Sequence, residues 1–276
     1  MLSQASFATK DGVDRLHKRQ DDQERQTMLD WLTPTDYGTQ QSDFLSRRQE
    51  GTGQWLLDSE EFQRWSNESN QTLFCPGIPG AGKTMIASIV IEHLWSRFRN
   101  DPNVGIAYLY CNFRRQQEQK PVDLLASLLK QLLQRRSPVP ESFTSLYRHH
   151  SDERTRPSFD EVSIVLNSVV HDHTRTFIII DALDECQVSD GDHRRFLSEI
   201  FSLQVKTGAN FFATSRFIPE VTKHFEGSIS IEIRASDYDV QRYLDGRMTR
   251  LRPFIARNPA LQEGIKTAII KAVDGM

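Results

Sequence analysis

The chain has 276 residues, of which 38% are hydrophobic and 26% are charged, so its composition supports a buried core and excludes wholesale disorder. Its 34 basic and 37 acidic residues nearly balance, which excludes the strong positive field of a typical nucleic-acid or anionic-membrane binder. The sequence also shows no secretory signal, no apolar run long enough to cross a bilayer and no paired-cysteine motif among its three cysteines. We therefore predict a soluble cytoplasmic protein with reduced thiols, no membrane segment and no nucleic-acid partner.

The N-terminal part is charged, with only sparse apolar positions. Asp11 to Leu32 predict an exposed helix, and the turn-forming residues Thr33 to Gly38 mark a boundary after it. We assign residues 1–36 to an N-terminal helical segment. Residues 37–70 read as a linker or lead-in element that ends in a short helix.

From Gln71 onward, apolar runs typical of buried strands alternate with segments of helical periodicity. The predicted strands are Thr72–Cys75, Val104–Tyr110, Phe177–Asp181, Asn210–Ser215 and Ser228–Ile233. The predicted helices are Lys83–Phe98, Pro121–Leu133, Phe159–Val170, His193–Leu203, Asp237–Leu251 and Pro259–Val273. This alternation predicts an α/β fold with a parallel sheet covered by helices on both faces.

A glycine-rich loop joins the first predicted strand to the first long helix. The run from Gly77 to Thr84 matches the phosphate-loop pattern Gly-x-x-x-x-Gly-Lys-Thr completely. Glycine at positions 77, 80 and 82 permits backbone geometry that side chains would forbid. The backbone N–H groups of Gly80, Ala81 and Gly82 then face inward with those of the helix start, where the helix dipole also favours an anion.

Two side chains at the end of this loop supply charge and a metal ligand. Lys83 provides a point charge for the β- and γ-phosphates, and the Thr84 hydroxyl is placed to ligate Mg²⁺. Because a buried strand precedes the loop and an amphipathic helix follows it, we predict a nucleotide–magnesium site rather than a chance glycine-rich turn.

Acidic residues follow the most apolar strand. Asp181 ends that strand, where open parallel sheets bind ligands, and is predicted to hold Mg²⁺. Glu185 is predicted to be the general base for an attacking water, with Asp184 as a second carboxylate on the metal side. An acidic loop that caps the next helix is the alternative. Arg216, which follows the fourth strand, is predicted to contact the γ-phosphate at the same sheet edge.

The motifs LFCPGIPGAGKT, FIIIDALDEC and FFATSR, in this order and spacing, resemble the NACHT domains of STAND-class signalling ATPases, in the nephrocystin-3-like type that is abundant in filamentous fungi. The segment RRQEGTGQWLL resembles the lead-in element of that family, which implies that Gly51 and Thr52 lie near the adenine. The resemblance implies a three-layer P-loop fold with five parallel strands in the order 5-1-4-3-2. It also implies a NACHT domain over residues 71–235 and the start of a truncated helical domain over residues 236–276.

Nucleotide exchange in that family toggles a closed ADP form and an open ATP form that oligomerises. The resemblance therefore implies ATP and ADP as ligands with Mg²⁺, slow hydrolysis, self-association and an innate-immunity or incompatibility-type role in fungi. Two alternatives stay open: a nucleotide-binding scaffold without useful turnover, and a P-loop small-molecule kinase. The kinase usually needs an arginine-rich lid, and the best candidate, Asn112 to Gln119, is polar but unremarkable. Apolar surface is expected near the C-terminus, where the helical region looks unfinished.

Overall fold

The fold is built on one parallel sheet. In the computed structural model, the described residues are 19–136, 138–186, 190–248, 253–256 and 258–273. The five strands are β1 (Thr72–Pro76), β2 (Val104–Tyr110), β3 (Arg175–Asp181), β4 (Asn210–Ser215) and β5 (Ile229–Ser230). Their order, β2-β3-β4-β1-β5, confirms the predicted order when it is read from the other edge, and every pairing is parallel.

Helices cover the sheet and extend beyond it. The structure contains α1 (residues 19–32), α2 (Gly38–Arg47), α3 (Gln54–Asp58), α4 (Glu60–Asn67), α5 (Lys83–Arg97), α6 (Pro121–Gln134), α7 (Glu141–Glu153), α8 (Phe159–His171), α9 (Asp190–Thr207), α10 (Pro219–Thr222), α11 (Asp237–Met248), α12 (Pro253–Ala256) and α13 (Pro259–Val273). The last residues of the predicted helix 237–251 lie outside the described residues. Within the described part of the chain, no helix is long and apolar enough to cross a membrane.

Helix α7 is absent from the sequence prediction. Its buried side chains are Phe143, Leu146 and His150, so its buried stripe is narrow and one of its three members is an imidazole. The buried imidazole is held by Thr155, whose Oγ1 lies 2.6 Å from His150 Nδ1. A helix that buries so few apolar residues gives little periodic signal.

The predicted exposed N-terminal helix is wrong for its last turn. Leu29 and Leu32 are buried in the core, and the part of that prediction before residue 19 lies outside the described residues. The ammonium of the buried Lys130 in α6 donates to Asp30 Oδ1 at 2.9 Å and to the Thr33 carbonyl at 2.8 Å. Because a buried ammonium needs such partners, these contacts fix the end of α1 on α6.

The segment 37–70, predicted as a linker or lead-in element that ends in a short helix, contains three packed helices. Trp65 in α4 is fully buried and donates from Nε1 to the Phe211 carbonyl in β4 at 3.0 Å. In return, Asn210 Nδ2 donates to the carbonyls of Trp65 at 2.6 Å and Glu68 at 2.7 Å. These bonds attach α4 to the first residues of β4, which is the central strand of the sheet.

The last strand is shorter than predicted. Only Ile229 and Ser230 have strand geometry, whereas the alternating pattern predicted 228–233. The hydrogen bonding nevertheless continues, because Ile231 N donates to the Phe74 carbonyl at 3.1 Å and Ile233 N donates to the Pro76 carbonyl at 2.7 Å. The segment therefore follows β1 to its end and reaches the glycine-rich loop.

Candidate functional site

The glycine-rich loop lies between β1 and α5, as predicted. Gly80 and Gly82 have φ values of 87° and 93°, in the left-handed region that favours glycine. Gly82 is the N-cap of α5, so the first free N–H groups of the helix follow it directly. The loop thus has the backbone shape and dipole of an anion-binding site.

Gly77 is required for a different reason. A Cβ atom on Gly77 would lie 2.5 Å from the carbonyl oxygen of Ile233, in the segment that extends β5. The constraint is therefore close packing of two backbones, and the sequence prediction of special backbone geometry holds for Gly80 and Gly82.

Gly77→Ala is expected to destabilise the fold by about 1–3 kcal/mol, because the loop or the Ile233 backbone must shift to admit the methyl group. Thermal or denaturant unfolding measures the change. Gly264→Ala in α13 is the matched control: its Cβ would meet no atom within 4 Å, and alanine in a helix interior should stabilise by up to about 1 kcal/mol. An equal loss in both variants would contradict the packing explanation.

Lys83 begins α5 and points back to its own loop. Its Nζ donates to the carbonyls of Gly77 and Ile78, both at 2.8 Å. Burial lowers the pKa of Lys83, and the nearby carboxylates of Asp184 and Asp181 oppose that shift. The ammonium therefore lies where the loop and the acidic strand end meet.

Asp181 and Thr84, the two predicted magnesium ligands, lie side by side. Asp181 is buried at the end of β3 and accepts a hydrogen bond from Thr214 Oγ1 at 2.6 Å, and the Thr84 hydroxyl lies near its carboxylate. Burial raises the pKa of Asp181, while these two hydroxyls and Lys83 lower it. A hydroxyl and a carboxylate are oxygen donors of the kind that Mg²⁺ prefers, so the residues fit that ion.

Asp184 contacts Arg216 through both carboxylate oxygens. Its Oδ1 accepts from the Arg216 backbone N–H at 3.1 Å, and its Oδ2 is bonded to the guanidinium Nε. The Asp184 side chain is 1% exposed and that of Arg216 is 47% exposed, so the carboxylate anchors a cation that reaches solvent. The hydrogen bond to Asp184 raises the pKa of Arg216. This geometry indicates that Asp184 positions Arg216. It favours that role over the predicted role of Asp184 as a second carboxylate on the metal side.

Glu185 is half-buried in the short 3-10 turn Leu183–Glu185. Its Oε2 accepts only a long bond, 3.4 Å, from the Phe113 backbone N–H among the contacts that the structure describes. Ala182, with φ 53° in the left-handed region, turns the chain between β3 and this segment, and its N–H donates to Thr214 Oγ1 at 2.9 Å. The turn therefore carries Glu185 beyond the sheet edge that Asp181 occupies.

The predicted set of reduced thiols is wrong for two of the three cysteines. Cys111 follows β2 and Cys186 follows the 3-10 turn, and they form a disulfide with a Cα–Cα distance of 5.2 Å, although 75 residues separate them in sequence. Only Cys75 in β1 is free and buried, as a small core residue. Spacing along the chain gave no signal for this pair, because the parallel pairing of β2 with β3 creates it.

Protein purified without reductant is expected to show one thiol per chain after unfolding, that of Cys75, and a peptide map with Cys111 linked to Cys186. Burial raises the pKa of the Cys75 thiol, so it should react with a thiol reagent only once the chain is unfolded. Three reactive thiols in the unfolded chain would contradict the pairing.

A cavity of about 430 Å³ opens beside the glycine-rich loop. Its lining combines the loop, α5, α11 and the lead-in segment, and most of it is apolar: Thr52, Gly53, Trp55, Gly80, Ala81, Gly82, Met85, Ile86, Ile89, Ile233, Arg234, Ala235, Asp239, Val240, Tyr243, Leu244 and Ile269. Thr52, which the lead-in motif predicts to lie near the adenine, lines this cavity, and its hydroxyl donates to the Gln49 carbonyl at 2.7 Å. Its hydroxyl therefore stabilises the lead-in turn.

Sequence reasoning missed three polar members of the site. Thr214 belongs to the predicted strand end TSR, and nothing in the sequence singles out Trp55 or Asp239. Thr214 follows the rule that residues at the carboxyl ends of parallel strands meet at one edge. Asp239 offers no such signal, because helix α11 brings it from 186 residues away to the Gly53 backbone.

The sheet order and the loop define a P-loop NTPase fold. A family model for the nephrocystin 3 N-terminal domain matches residues 51–216, more than half of the chain, and the chain belongs to that family. No curated protein matches the chain.

Solved structures of DNA-replication and DNA-bound proteins resemble the chain distantly. DnaA bound to AMPPCP and single-stranded DNA has 14% identity and a TM-score of 0.42, with 82% of this chain and 63% of that chain covered; the AMPPCP-bound DnaA of Aquifex aeolicus gives 0.40 at the same identity and coverage. Drosophila ORC bound to DNA has 14% identity and a TM-score of 0.39, with 87% of this chain and 54% of that chain covered. The chain thus spans less than two thirds of these proteins, and similarities this distant carry no information on activity.

Proposed function

We propose that the chain binds ATP with Mg²⁺ and acts as a NACHT-type signalling switch that hydrolyses ATP slowly. One observation carries the proposal: Lys83, Thr84, Asp181 and Arg216 gather at the carboxyl edge of the sheet, next to an apolar cavity that the same glycine-rich loop lines. A nucleotide would use both features, with its triphosphate on the loop and its nucleobase in the cavity.

Each residue has a distinct role in the proposed complex. Phosphate oxygens replace the carbonyls of Gly77 and Ile78 as partners of the Lys83 ammonium, while the N–H groups at the start of α5 bind the same anion. Thr84 and Asp181 hold Mg²⁺, which supplies charge neutralisation of the phosphates when bound. Arg216, held by Asp184, extends its guanidinium to the γ-phosphate.

Glu185 is proposed to orient and deprotonate the attacking water. Its carboxylate is the one acid of the group that holds no strong ion pair or short hydrogen bond among the described contacts, so it is available for this role. Slow turnover suits a switch, since the lifetime of the ATP form then sets the length of the signal.

The signalling role rests on the family resemblance and on exposed apolar side chains. Phe254 and Leu261, in α12 and α13, are 63% and 38% exposed, in the region where the sequence predicted apolar surface. Such side chains are available for self-association, which the resemblance links to the ATP form. The resemblance supports a cytoplasmic role in innate-immunity or incompatibility-type signalling of a fungus.

The proposal is tested by titrating the chain with a fluorescent ATP analogue, with and without Mg²⁺, and by measuring phosphate release. Saturable, Mg²⁺-dependent binding with release above background supports the switch. Binding without release favours the scaffold alternative, and no binding rejects the proposal. Transfer of phosphate to a small metabolite in place of water would indicate the kinase alternative.

A further inference from the structure

The cavity beside the glycine-rich loop contains one ionisable acid in an otherwise largely apolar wall. That acid is Asp239, in the first turn of α11. The loop glycines line one end of the cavity, and aliphatic side chains of α5 and α11 line its sides. Apolar walls suit the faces of a planar base, whereas a carboxylate in such a wall needs a hydrogen-bond donor.

Only half of this carboxylate has partners. Its Oδ2 accepts from the Gly53 backbone N–H at 3.0 Å and from Trp55 Nε1 at 3.1 Å. Its Oδ1 is buried and has no hydrogen-bond partner among the residues that the structure describes. Two donors therefore fix the carboxylate, and the other oxygen of this cavity-lining residue is a buried acceptor without a partner among the described residues, which a ligand donor could satisfy.

The position of Asp239 relates this acceptor to the base of a nucleotide. Gly53, its partner, packs on α5 so closely that a Cβ there would lie 2.5 Å from Ile89 Cδ1 and 3.1 Å from Ile86 Cδ1. At about 1.5 Å of rise per residue, these two residues lie about 6 to 10 Å along the helix from Gly82 in the phosphate loop. A nucleoside whose phosphates bind the loop spans that distance.

We propose that Asp239 Oδ1 accepts a hydrogen bond from the exocyclic 6-amino group of a purine and so selects adenine nucleotides. The inference rests on the proposed function and deepens it by naming the base. A single free acceptor complements the amino group of adenine. The oxo group at the same position of guanine or hypoxanthine is itself an acceptor, and a carboxylate oxygen repels it.

The test compares nucleotides that differ at one group. Competition against a fluorescent ATP analogue should show ATP binding about 10- to 100-fold more tightly than purine riboside triphosphate, which lacks only the 6-amino group, because a charged acceptor is then left unpaired. ITP, with a 6-oxo group, should bind at least as weakly, and 2′-deoxy-ATP and 3′-deoxy-ATP should bind like ATP.

Asp239→Asn sharpens the comparison. The amide oxygen can keep the donors Gly53 and Trp55, while the amide N–H₂ faces the base in place of Oδ1. The preference for ATP over purine riboside triphosphate should disappear, and ITP should bind better to the variant than to the parent chain. Asp237→Asn is the matched control, because Asp237 is exposed on the same helix and does not line the cavity. Thermal unfolding without nucleotide checks that both variants are folded.

The outcomes separate this inference from the proposed function. If the parent chain binds ATP but binds purine riboside triphosphate equally well, or if Asp239→Asn leaves the base preference unchanged, the assignment of Asp239 is overturned and the nucleotide site stands. Weaker binding of the deoxy-ATP pair alone would place the contact at the ribose and also overturn it. If the parent chain binds none of these triphosphates, the proposed function fails first.

Discussion

A Lys83→Ala chain is expected to bind ATP at least about 100-fold more weakly than the parent chain while keeping its fold. The ammonium is the only side-chain cation that donates a hydrogen bond to the glycine-rich loop among the described residues, and its loss would remove the proposed charge-assisted bonds to two phosphates. The lost bonds to Gly77 and Ile78 are local to the loop, so the free energy of unfolding should change much less. Equilibrium titration and thermal unfolding measure the two effects separately.

Lys206→Ala provides the control for this experiment. Lys206 is exposed near the end of α9, so its removal changes the net charge by the same amount without touching the loop. Nucleotide affinity should be unchanged in that variant. A Lys83→Ala chain that bound ATP normally would show that the loop does not hold the phosphates, and the proposed function would have to be abandoned.

The sequence predicts the sheet and the loop well because both depend on local signals. The run FIIID reads as a buried strand whatever surrounds it, and the eight residues from Gly77 to Thr84 specify their own turn and helix start. Sheet order followed from the family resemblance rather than from the pattern. The predicted length of β5 is too great because the alternation in SISIEI continues after the strand ends. Single hydrogen bonds to β1 also continue there.

The features that the sequence does not predict depend on contacts between segments that lie far apart in the chain. Cys111 meets Cys186 because β2 and β3 pair, and Asp239 meets Gly53 because α11 folds back on the lead-in loop. Asp184 shows the same limit. Its place beside Glu185 in DALDEC suggests a shared chemical role, yet both of its oxygens bind Arg216 from the next strand end. The motif shows which acidic residues are present. Contacts in the folded chain determine which of their carboxylates are free of protein partners.

Glu185, unlike Asp184, is not held by Arg216, and its substitution is predicted to have the second large effect. Glu185→Gln is expected to lower the rate of phosphate release by about 10²- to 10⁴-fold with little change in ATP affinity, because the amide keeps the shape of the side chain and cannot take a proton from water. Single-turnover hydrolysis and equilibrium titration check the two parts. Glu226→Gln, at an exposed position after β4, should change neither quantity. Full activity in the Glu185→Gln chain would remove the proposed base.

Asp184 calls for a different experiment, because its proposed role passes through Arg216. Asp184→Asn and Arg216→Ala should each slow hydrolysis, and the double variant should be no slower than Arg216→Ala alone, since the carboxylate then has no guanidinium to hold. Asp184→Asn should therefore lose its effect in the Arg216→Ala background. If the two effects instead multiply, Asp184 acts on the reaction independently of Arg216, and its predicted place beside the metal becomes the better explanation of its burial at the sheet edge.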